Sequence, residues 1–159
     1  MVTLRPWQPA DRPLLDGFNT AEMTAHQVRP ESAEELEKRH RRYLRTDLPG
    51  AMLVICVGED AVGAIGYWEN DEDADAVVWE TGWSVLPEFQ GRGHAGSALA
   101  TLIGIVRAEG THPEIHAYPA VDNAPSNALC RHAGFTLRGT RPFPFRGEEL
   151  LSNDWALVL

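Results

Sequence analysis

Lysine is almost absent from this 159-residue chain, in which Lys38 is the single example. The formal net charge is −9 at pH 7, because 23 acidic residues outnumber 14 basic ones. Nucleic-acid binding depends on clustered lysine and arginine that displace counterions from phosphates, so this charge balance argues against a nucleic-acid partner. The acidity serves either solubility or the attraction of a cationic amine, and the sequence leaves both explanations open.

Cysteine and long apolar runs are also scarce. The two cysteines, Cys56 and Cys130, do not form a disulfide framework. No apolar stretch approaches the length of a membrane span, and no basic-then-apolar signal segment opens the chain. We therefore expect a cytoplasmic protein that has no membrane partner and forms a single domain over residues 1–159.

Glycine is concentrated where a predicted strand over 77–85 runs into a turn that opens a predicted helix over 93–109. Gly91, Gly93 and Gly96 allow the backbone to approach a ligand closely and to turn its N–H groups outward. The positive end of the helix dipole points at the same place. The pattern predicts a binding site for a phosphate group.

Two well-known phosphate motifs do not fit this turn. The Gly-Lys-Ser/Thr ending of a nucleoside triphosphate loop is missing, and so is the dinucleotide fingerprint with its acidic residue about 20 positions on. The small residue after the turn is Ala95. The sequence Gln90-x-x-Gly93-x-Ala95, preceded by Val85-Leu86-Pro87, instead resembles the signature of the GNAT superfamily of acyl-CoA-dependent N-acyltransferases.

A second segment supports this resemblance. The Asn-x-x-Ser…Gly-Phe helix of the superfamily is matched at 123–126 and 134–135. Together with the Glu-x-Gly motif at 80–82, it makes the chain most similar to the branch that contains the ribosomal-protein alanine N-acetyltransferases. The specific resemblance covers residues 77–140, and outside that span only the order of strands and helices agrees.

The resemblance implies the GNAT fold, a mixed α+β arrangement. It has a six- to seven-stranded, mostly antiparallel sheet that splays apart between strands 4 and 5, and about four helices. The gap leaves backbone groups that can hydrogen-bond an extended pantetheine arm as if it were another strand. The chain fits this order with a hairpin over 51–68, a turn over 69–75 and later strands at 135–138 and 155–159.

Two helices are predicted before the hairpin. The first begins near Asp11 and runs towards Ala25. The second has a capping box at Ser32-x-x-Glu35 and reaches about Arg45. A basic string at 38–42 follows glutamates at helical spacing, which indicates a solvated helix face rather than a basic binding patch.

The resemblance also implies that acetyl-CoA is the cosubstrate and that the glycine-rich turn holds its pyrophosphate. The cofactor-binding residues expected are Val85, Gln90, Gly91, Arg92, Gly93, His94, Ala95, Gly96, Ser97, Asn123 and Ser126. An Asx-turn is the alternative role for Asn123. No metal is expected.

The implied reaction is direct transfer of an acetyl group to a primary amine, either a protein N-terminus or a small-molecule amine. Glu80 matches the glutamate of the Glu-x-Gly motif, so it is predicted either to take the amine's proton or to anchor the amine. Cys130 stands where many superfamily members carry a proton-donating tyrosine. Ser126 is therefore predicted to contact or protonate the leaving thiolate, with a helix N-cap as its alternative role.

Other residues have less specific roles. His116 and Tyr118 either line the acceptor side or are core or rim residues. Cys130 would need a lowered pKa and an exposed site to act as a nucleophile. Trp155, expected to be exposed on the last strand, suggests a possible homodimer. A non-catalytic acyl-CoA-binding sensor and a structural domain with a vestigial turn remain as alternative functions.

Overall fold

The computed structural model describes residues 1–71, 76–145 and 147–159. Their strands form one seven-stranded sheet in the order β1-β2-β3-β4-β5-β7-β6. The strands are β1 (Val2–Pro6), β2 (Gly50–Val57), β3 (Asp60–Asn70), β4 (Val78–Val85), β5 (Glu114–Ala117), β6 (Thr136–Phe145) and β7 (Glu148–Val158). The helices are α1 (Arg12–Phe18), α2 (Ala33–Tyr43), α3 (His94–Glu109) and α4 (Ala124–His132), with 3₁₀ turns at Pro9–Asp11 and Pro87–Phe89. The expected mixed, mostly antiparallel architecture is confirmed.

Helices cover both faces of the sheet, because strand side chains alternate between two apolar layers. On one face α3 buries Leu99, Leu102 and Val106 completely against strand residues such as Ile65. On the other face α1 and α2 cover a smaller cluster. That cluster contains Trp7, Leu15, Leu36, Val54, Cys56 and Ala64.

The first helix is shorter than the sequence predicted. α1 ends at Phe18, whereas a helix running towards Ala25 was expected. The side chain of Asn19 accepts a hydrogen bond from the Glu31 N–H at 2.6 Å and donates one to the Glu31 carbonyl at 2.8 Å. These two bonds close residues 19–31 into a compact loop, which we call the strap.

The predicted capping box of α2 is confirmed. The Glu35 N–H donates to Ser32 Oγ at 3.2 Å, and the Ser32 N–H donates to the Glu35 carboxylate at 2.7 Å. The basic string that follows is solvated only in part. Lys38 is exposed and paired with Glu34, but Arg39 turns inward and its side chain is 24% exposed.

The last two strands extend well beyond the predicted 135–138 and 155–159. β6 carries Pro142 and Pro144, which lower strand propensity, yet they are tolerated because β6 is the edge of the sheet. The predicted turn over 69–75 falls partly outside the described residues, which omit 72–75. Its first residues differ from prediction, because β3 continues to Asn70.

The expectation that Trp155 is exposed is wrong. Its side chain is 3% exposed, and its strand β7 lies between β5 and β6 rather than at the sheet edge. The indole ring packs in the main core, where burial of a large aromatic surface is favourable. The homodimer stays a prediction, and Trp155 no longer supports it.

The parallel strands β4 and β5 pair over two positions only. Trp79 lies opposite Ile115, and Glu80 lies opposite His116. β3 and β4, in contrast, pair over the whole length of β4. The predicted splay between the fourth and fifth strands is confirmed, and Glu80 occupies its closed end.

The backbone of β4 presents polar groups to this gap. The Leu86 N–H donates to the Val62 carbonyl at 2.9 Å, so these two residues form a hydrogen-bonded pair between β3 and β4. Hydrogen-bonded and non-hydrogen-bonded pairs alternate along antiparallel strands, so the N–H and C=O groups of Trp83 and Val85 point towards β5, beyond the positions that β5 pairs. An extended ligand can add to β4 there as a strand would.

Asn127 holds the other side of the gap in place. Its Oδ1 accepts hydrogen bonds from Asn153 Nδ2 and from Trp155 Nε1, both at 2.8 Å. Its Nδ2 donates to the carbonyls of Ala120 at 2.9 Å and Asn123 at 2.8 Å. All of the amide's hydrogen-bonding capacity is used, so one buried side chain ties β7 to the loop between β5 and α4.

We predict that Asn127→Leu lowers the free energy of unfolding by about 2–4 kcal/mol, because it leaves buried donors on Asn153 and Trp155 without acceptors. Urea unfolding followed by circular dichroism measures the change. The exposed hairpin residue offers a control, Glu59→Gln, which should stay within about 0.5 kcal/mol of the wild type. A Leu variant as stable as this control would contradict the role of Asn127.

Candidate active site

The glycine-rich turn has the backbone geometry of an anion site. Gly91 and Gly93 have φ angles of 73° and 79°, in the left-handed region that favours glycine. A Cβ atom at either position would meet no atom within 4 Å, so the space around the turn is open. The requirement for glycine therefore comes from the backbone conformation, and the open side is available to a ligand.

The turn leads directly into α3. Gly93 is the N-cap, and the first intrahelical bond runs from the Ser97 N–H to the Gly93 carbonyl at 3.1 Å. The N–H groups of residues 93–96 therefore have no intrahelical acceptor, and the helix dipole adds positive charge there. This arrangement binds phosphate groups without a lysine.

The structure brings the predicted turn residues together at the start of α3. They are Gln90, Gly91, Arg92, Gly93, His94, Ala95, Gly96 and Ser97. The guanidinium of Arg92 lies 5.9 Å from the centre of the Phe89 ring. The side chain of Gln90 donates to the Val85 carbonyl at 2.9 Å, so it braces the strand end against the turn. Binding of coenzyme A by these residues stays a prediction.

The start of α4 flanks the same gap, because parallel strands end at the same edge of a sheet and α3 and α4 follow β4 and β5. Asn123 is the N-cap of α4, and its Oδ1 accepts from the Ser126 N–H at 3.3 Å. The alternative role of Ser126 as the N-cap is therefore wrong. Its side chain is half-buried, and the described residues provide no hydrogen bond to its hydroxyl.

Glu80 stands at the last paired position before the gap. Its side chain is half-buried, and Oε2 accepts a hydrogen bond from Asn70 Nδ2 at 2.8 Å. A Cβ at Gly82 would lie 3.1 Å from the ring of Trp68, so the glycine of the Glu-x-Gly motif lets this indole lie across β4. Trp68 is 37% exposed. Trp68 pairs with Glu80 across the two strands and covers the same face of the sheet. The sequence analysis did not predict this role, although a tryptophan on the strand before the Glu-x-Gly motif could have indicated it.

His116, opposite Glu80 on β5, is buried between two carboxylates. Its Nδ1 lies 2.7 Å from Asp154 Oδ1, and its Nε2 lies 3.0 Å from Glu114 Oε2. Burial lowers the pKa of His116, but the hydrogen bonds and charges of Asp154 and Glu114 outweigh burial and raise it. Arg138 and His116 hold the pKa of Glu114 down at about 2. Both ring nitrogens lie within hydrogen-bonding distance of a carboxylate, which favours the protonated ring and leaves no free ring nitrogen to act as a base.

Tyr118 continues from His116 into a row of stacked rings. Its ring centre lies 5.9 Å from that of His116 and 5.9 Å from that of Phe143 on β6. The Arg141 guanidinium lies 4.8 Å from the Tyr118 ring centre. His116 is buried, as expected of a core residue, whereas Tyr118 is half-buried.

Cys130 does not replace the missing tyrosine. Its side chain is fully buried in the main core, and burial raises the pKa of its thiol to about 12. A thiolate nucleophile needs the opposite environment. Cys130 is therefore not suited to act at the gap, and the catalytic roles of Glu80 and Ser126 stay predictions.

No cluster of three or more histidine, cysteine or acidic residues suited to a metal ion occurs within 1–71, 76–145 and 147–159. In the same described ranges, no helix combines the length and apolar character needed to cross a membrane.

A half-open parallel strand pair, flanked by two helix N-termini, is suited to an extended phosphate-containing ligand that lies along β4. Residues 1–136 match the acetyltransferase (GNAT) domain, and the chain belongs to this family. It is an acetyl-CoA-dependent acetyltransferase, which sets aside the alternatives of a sensor or a vestigial structural domain. The curated proteins contain no significant sequence match to the chain.

Solved structures of known acetyltransferases are similar over nearly the whole chain. An acetyltransferase from Salmonella typhimurium that modifies the N-terminal serine of ribosomal protein L7/L12 is 20% identical, with a TM-score of 0.81 over 99% of this chain and 95% of that one. A spermidine N-acetyltransferase from Vibrio cholerae, in complex with CoA and spermine, is 19% identical, with a TM-score of 0.79 over 99% and 95%. An aminoglycoside acetyltransferase in complex with coenzyme A is 15% identical, with a TM-score of 0.81 over 99% and 95%. At these identities the likeness establishes the fold.

We predict that the carboxylate pair around His116 makes stability depend on pH. Because folding raises the pKa of His116, its contribution is complete below the unfolded pKa of about 6.5 and is lost as pH rises through the higher folded value. The free energy of unfolding of the wild type should therefore fall above about pH 6.5 more steeply than that of His116→Gln. Urea unfolding at several pH values measures both slopes.

The matched control for this experiment is His132→Gln, since His132 is exposed and bonds only a carbonyl of its own helix. This variant should keep the pH slope of the wild type. Equal slopes in the wild type and His116→Gln would show that His116 is neutral in the folded protein.

Proposed function

We propose that this protein transfers the acetyl group of acetyl-CoA directly to a primary amine, as one catalytic domain spanning residues 1–159 in the cytoplasm. The observation that carries the proposal is the position of Glu80. The β4–β5 pairing ends at this carboxylate, so the gap that accepts an extended pantetheine arm has a proton acceptor at its closed end.

The coenzyme lies along β4 in this proposal. The N–H groups of residues 93–96 bind its pyrophosphate, with Arg92 and His94 beside them at the mouth of the turn. The backbone groups of Trp83 and Val85 pair with its pantetheine arm. Asn123 shapes the opposite wall through its cap of α4.

Glu80 takes a proton from the ammonium form of the acceptor, directly or through one water. Asn70 fixes the orientation of its carboxylate, and the indole of Trp68 shields the site from solvent on one side. A neutral amine held against the acetyl carbon then gains the advantage of proximity. The amine nitrogen bonds to that carbon, the carbon–sulfur bond breaks, and the sulfur departs with the electron pair.

Ser126 supplies a proton to the departing sulfur, and its hydroxyl recovers a proton from the new amide nitrogen, directly or through water. It is the third residue of α4, and the N-terminus of this helix stabilises negative charge that develops beside it. Cys130 is too deeply buried to share this role. The hydroxyl of Ser126 therefore takes the part that a tyrosine plays in many members of the superfamily.

The class of acceptor is an amine, and the compared structures point to three kinds of amine. Their descriptions name a protein N-terminus, spermidine and aminoglycosides as substrates of those enzymes. In each case the group acetylated is an amine. This agreement supports an amine acceptor without choosing among the three kinds.

We predict that Glu80→Gln lowers kcat/KM about 10²- to 10⁴-fold at neutral pH, because it removes the general base but keeps the hydrogen bond to Asn70. Ser126→Ala should lower kcat about tenfold or more through loss of the proton donor. Release of coenzyme A from acetyl-CoA, measured with a panel of amines, reports both effects.

The affinity for coenzyme A should stay within about twofold of the wild type in both variants, because neither side chain is proposed to carry most of that binding energy. Glu59→Gln, in the exposed β2–β3 turn, is the matched carboxylate control and should retain full activity. Unchanged turnover in both site variants would overturn the assignment of Glu80 and Ser126.

A further inference from the structure

Trp68 is a tryptophan that the core does not use. The other four tryptophans pack in or against the two apolar clusters, and they are Trp7, Trp79, Trp83 and Trp155. Trp68 belongs to neither cluster and is 37% exposed. In the described part of the chain its indole has no stacked ring and no hydrogen bond. Aromatic side chains of this kind line the binding sites of small molecules.

Two glycines leave space around this indole. Gly50 lies opposite Trp68 on β2, and its φ angle of 99° is in the region that favours glycine. On the other side, a Cβ atom at Gly82 would lie 3.1 Å from the tip of the six-membered ring. Neither position has a side chain that could cover the indole. The exposed part of the ring is therefore accessible to a ligand.

The indole also lies beside the proposed base. Trp68 and Glu80 are directly opposite each other on β3 and β4, so their Cβ atoms are roughly 5 Å apart on one face. Asn70, two residues further along β3, donates to the Glu80 carboxylate at 2.8 Å. An amine that binds Glu80 therefore has its carbon substituent within reach of the indole.

Aromatic side chains continue on this face across the gap. His116 is paired with Glu80, so the two side chains lie on the same face of the sheet. The Tyr118 ring centre lies 5.9 Å from that of His116, and the Phe143 ring centre lies 5.9 Å from that of Tyr118. The face that carries Glu80 thus has aromatic rings on both sides of the gap. Such a surface suits a flat apolar group better than a linear polar chain.

We propose that Trp68 binds the group attached to the acceptor's amine. The acceptor is then a small primary amine with an aromatic ring one or two carbons from its nitrogen. The inference rests on the proposed function and adds to it the substrate class. The amine nitrogen lies at Glu80, and its ring packs on the exposed indole, where aromatic pairs gain more than the burial of their area. Trp68 determines specificity and takes no part in proton transfer.

Matched pairs of aromatic and saturated amines test the proposal. Phenethylamine with 2-cyclohexylethylamine, and benzylamine with cyclohexylmethylamine, keep the chain length and change only the ring. Spermidine and a tetrapeptide with an N-terminal serine represent two acceptor kinds named for the compared enzymes. Release of coenzyme A from acetyl-CoA gives kcat/KM, and calorimetric titration into the protein saturated with coenzyme A gives affinity without turnover. In both measurements at least one aromatic amine should exceed its saturated partner about threefold or more, and the other two acceptors about tenfold or more.

Trp68→Ala should remove the preference for the aromatic amine over its saturated partner, mainly through a higher KM for the aromatic amine. Trp68→Phe keeps an aromatic ring and should retain the preference. Leu151→Ala, a similarly exposed apolar residue on β7, is the matched control and should keep both the preference and the KM. Circular dichroism checks that each variant is folded. Trp68→Leu keeps apolar volume without a ring, so it replaces Trp68→Ala if that variant fails to fold.

The proposal is overturned if no aromatic amine exceeds its saturated partner, or if folded Trp68→Ala retains the preference. More efficient acetylation of spermidine or of the tetrapeptide than of every aromatic amine would also overturn it. Titration with coenzyme A alone separates the two levels of inference. Absence of coenzyme binding refutes the proposed function, whereas acetylation without a ring preference refutes only the role of Trp68.

Discussion

The short pairing of β4 with β5 is the constraint on which the rest of the structure depends. Two paired positions keep the sheet continuous, and the divergence that follows leaves backbone polar groups facing a gap. Such groups need water or a ligand as partner, and a ligand that adds to β4 as a strand would supply one. The helices that follow the two strands place their N-termini at its mouth, and Glu80 lies where it closes.

The elements with strong local signals were predictable from the sequence. The capping box at Ser32 and the glycine turn before α3 follow from hydrogen-bonding and backbone rules that act over a few residues. Glu80 and Ser126 became site candidates through the resemblance of their motifs to the GNAT superfamily, and the structure places them on the two elements that border the gap. The predicted first helix was too long, because the hydrogen bonds between Asn19 and Glu31 that shape the chain after α1 join residues 12 positions apart.

What the sequence could not provide depends on contacts between distant segments. Asn127 resembles any polar helix residue until the fold brings Asn153 and Trp155 to its amide. The pKa of His116 is raised in part because β7 supplies Asp154, 38 residues away in the chain. Arg39 sits in a basic string typical of a solvated helix face, yet the strap turns it into the lining of a cavity. The spacing of apolar residues along the chain does not identify partners so distant in sequence.

Amide hydrogen exchange followed by NMR tests the central claim most directly, because that claim assigns the coenzyme to a specific strand edge. With acetyl-CoA at saturation, the account predicts slower exchange at Trp83 and Val85. The N–H of Val54, inside the sheet on β2, should exchange as it does in the free protein. Bound acetyl-CoA that leaves both β4 amides unchanged would contradict the account and place the coenzyme elsewhere on the fold.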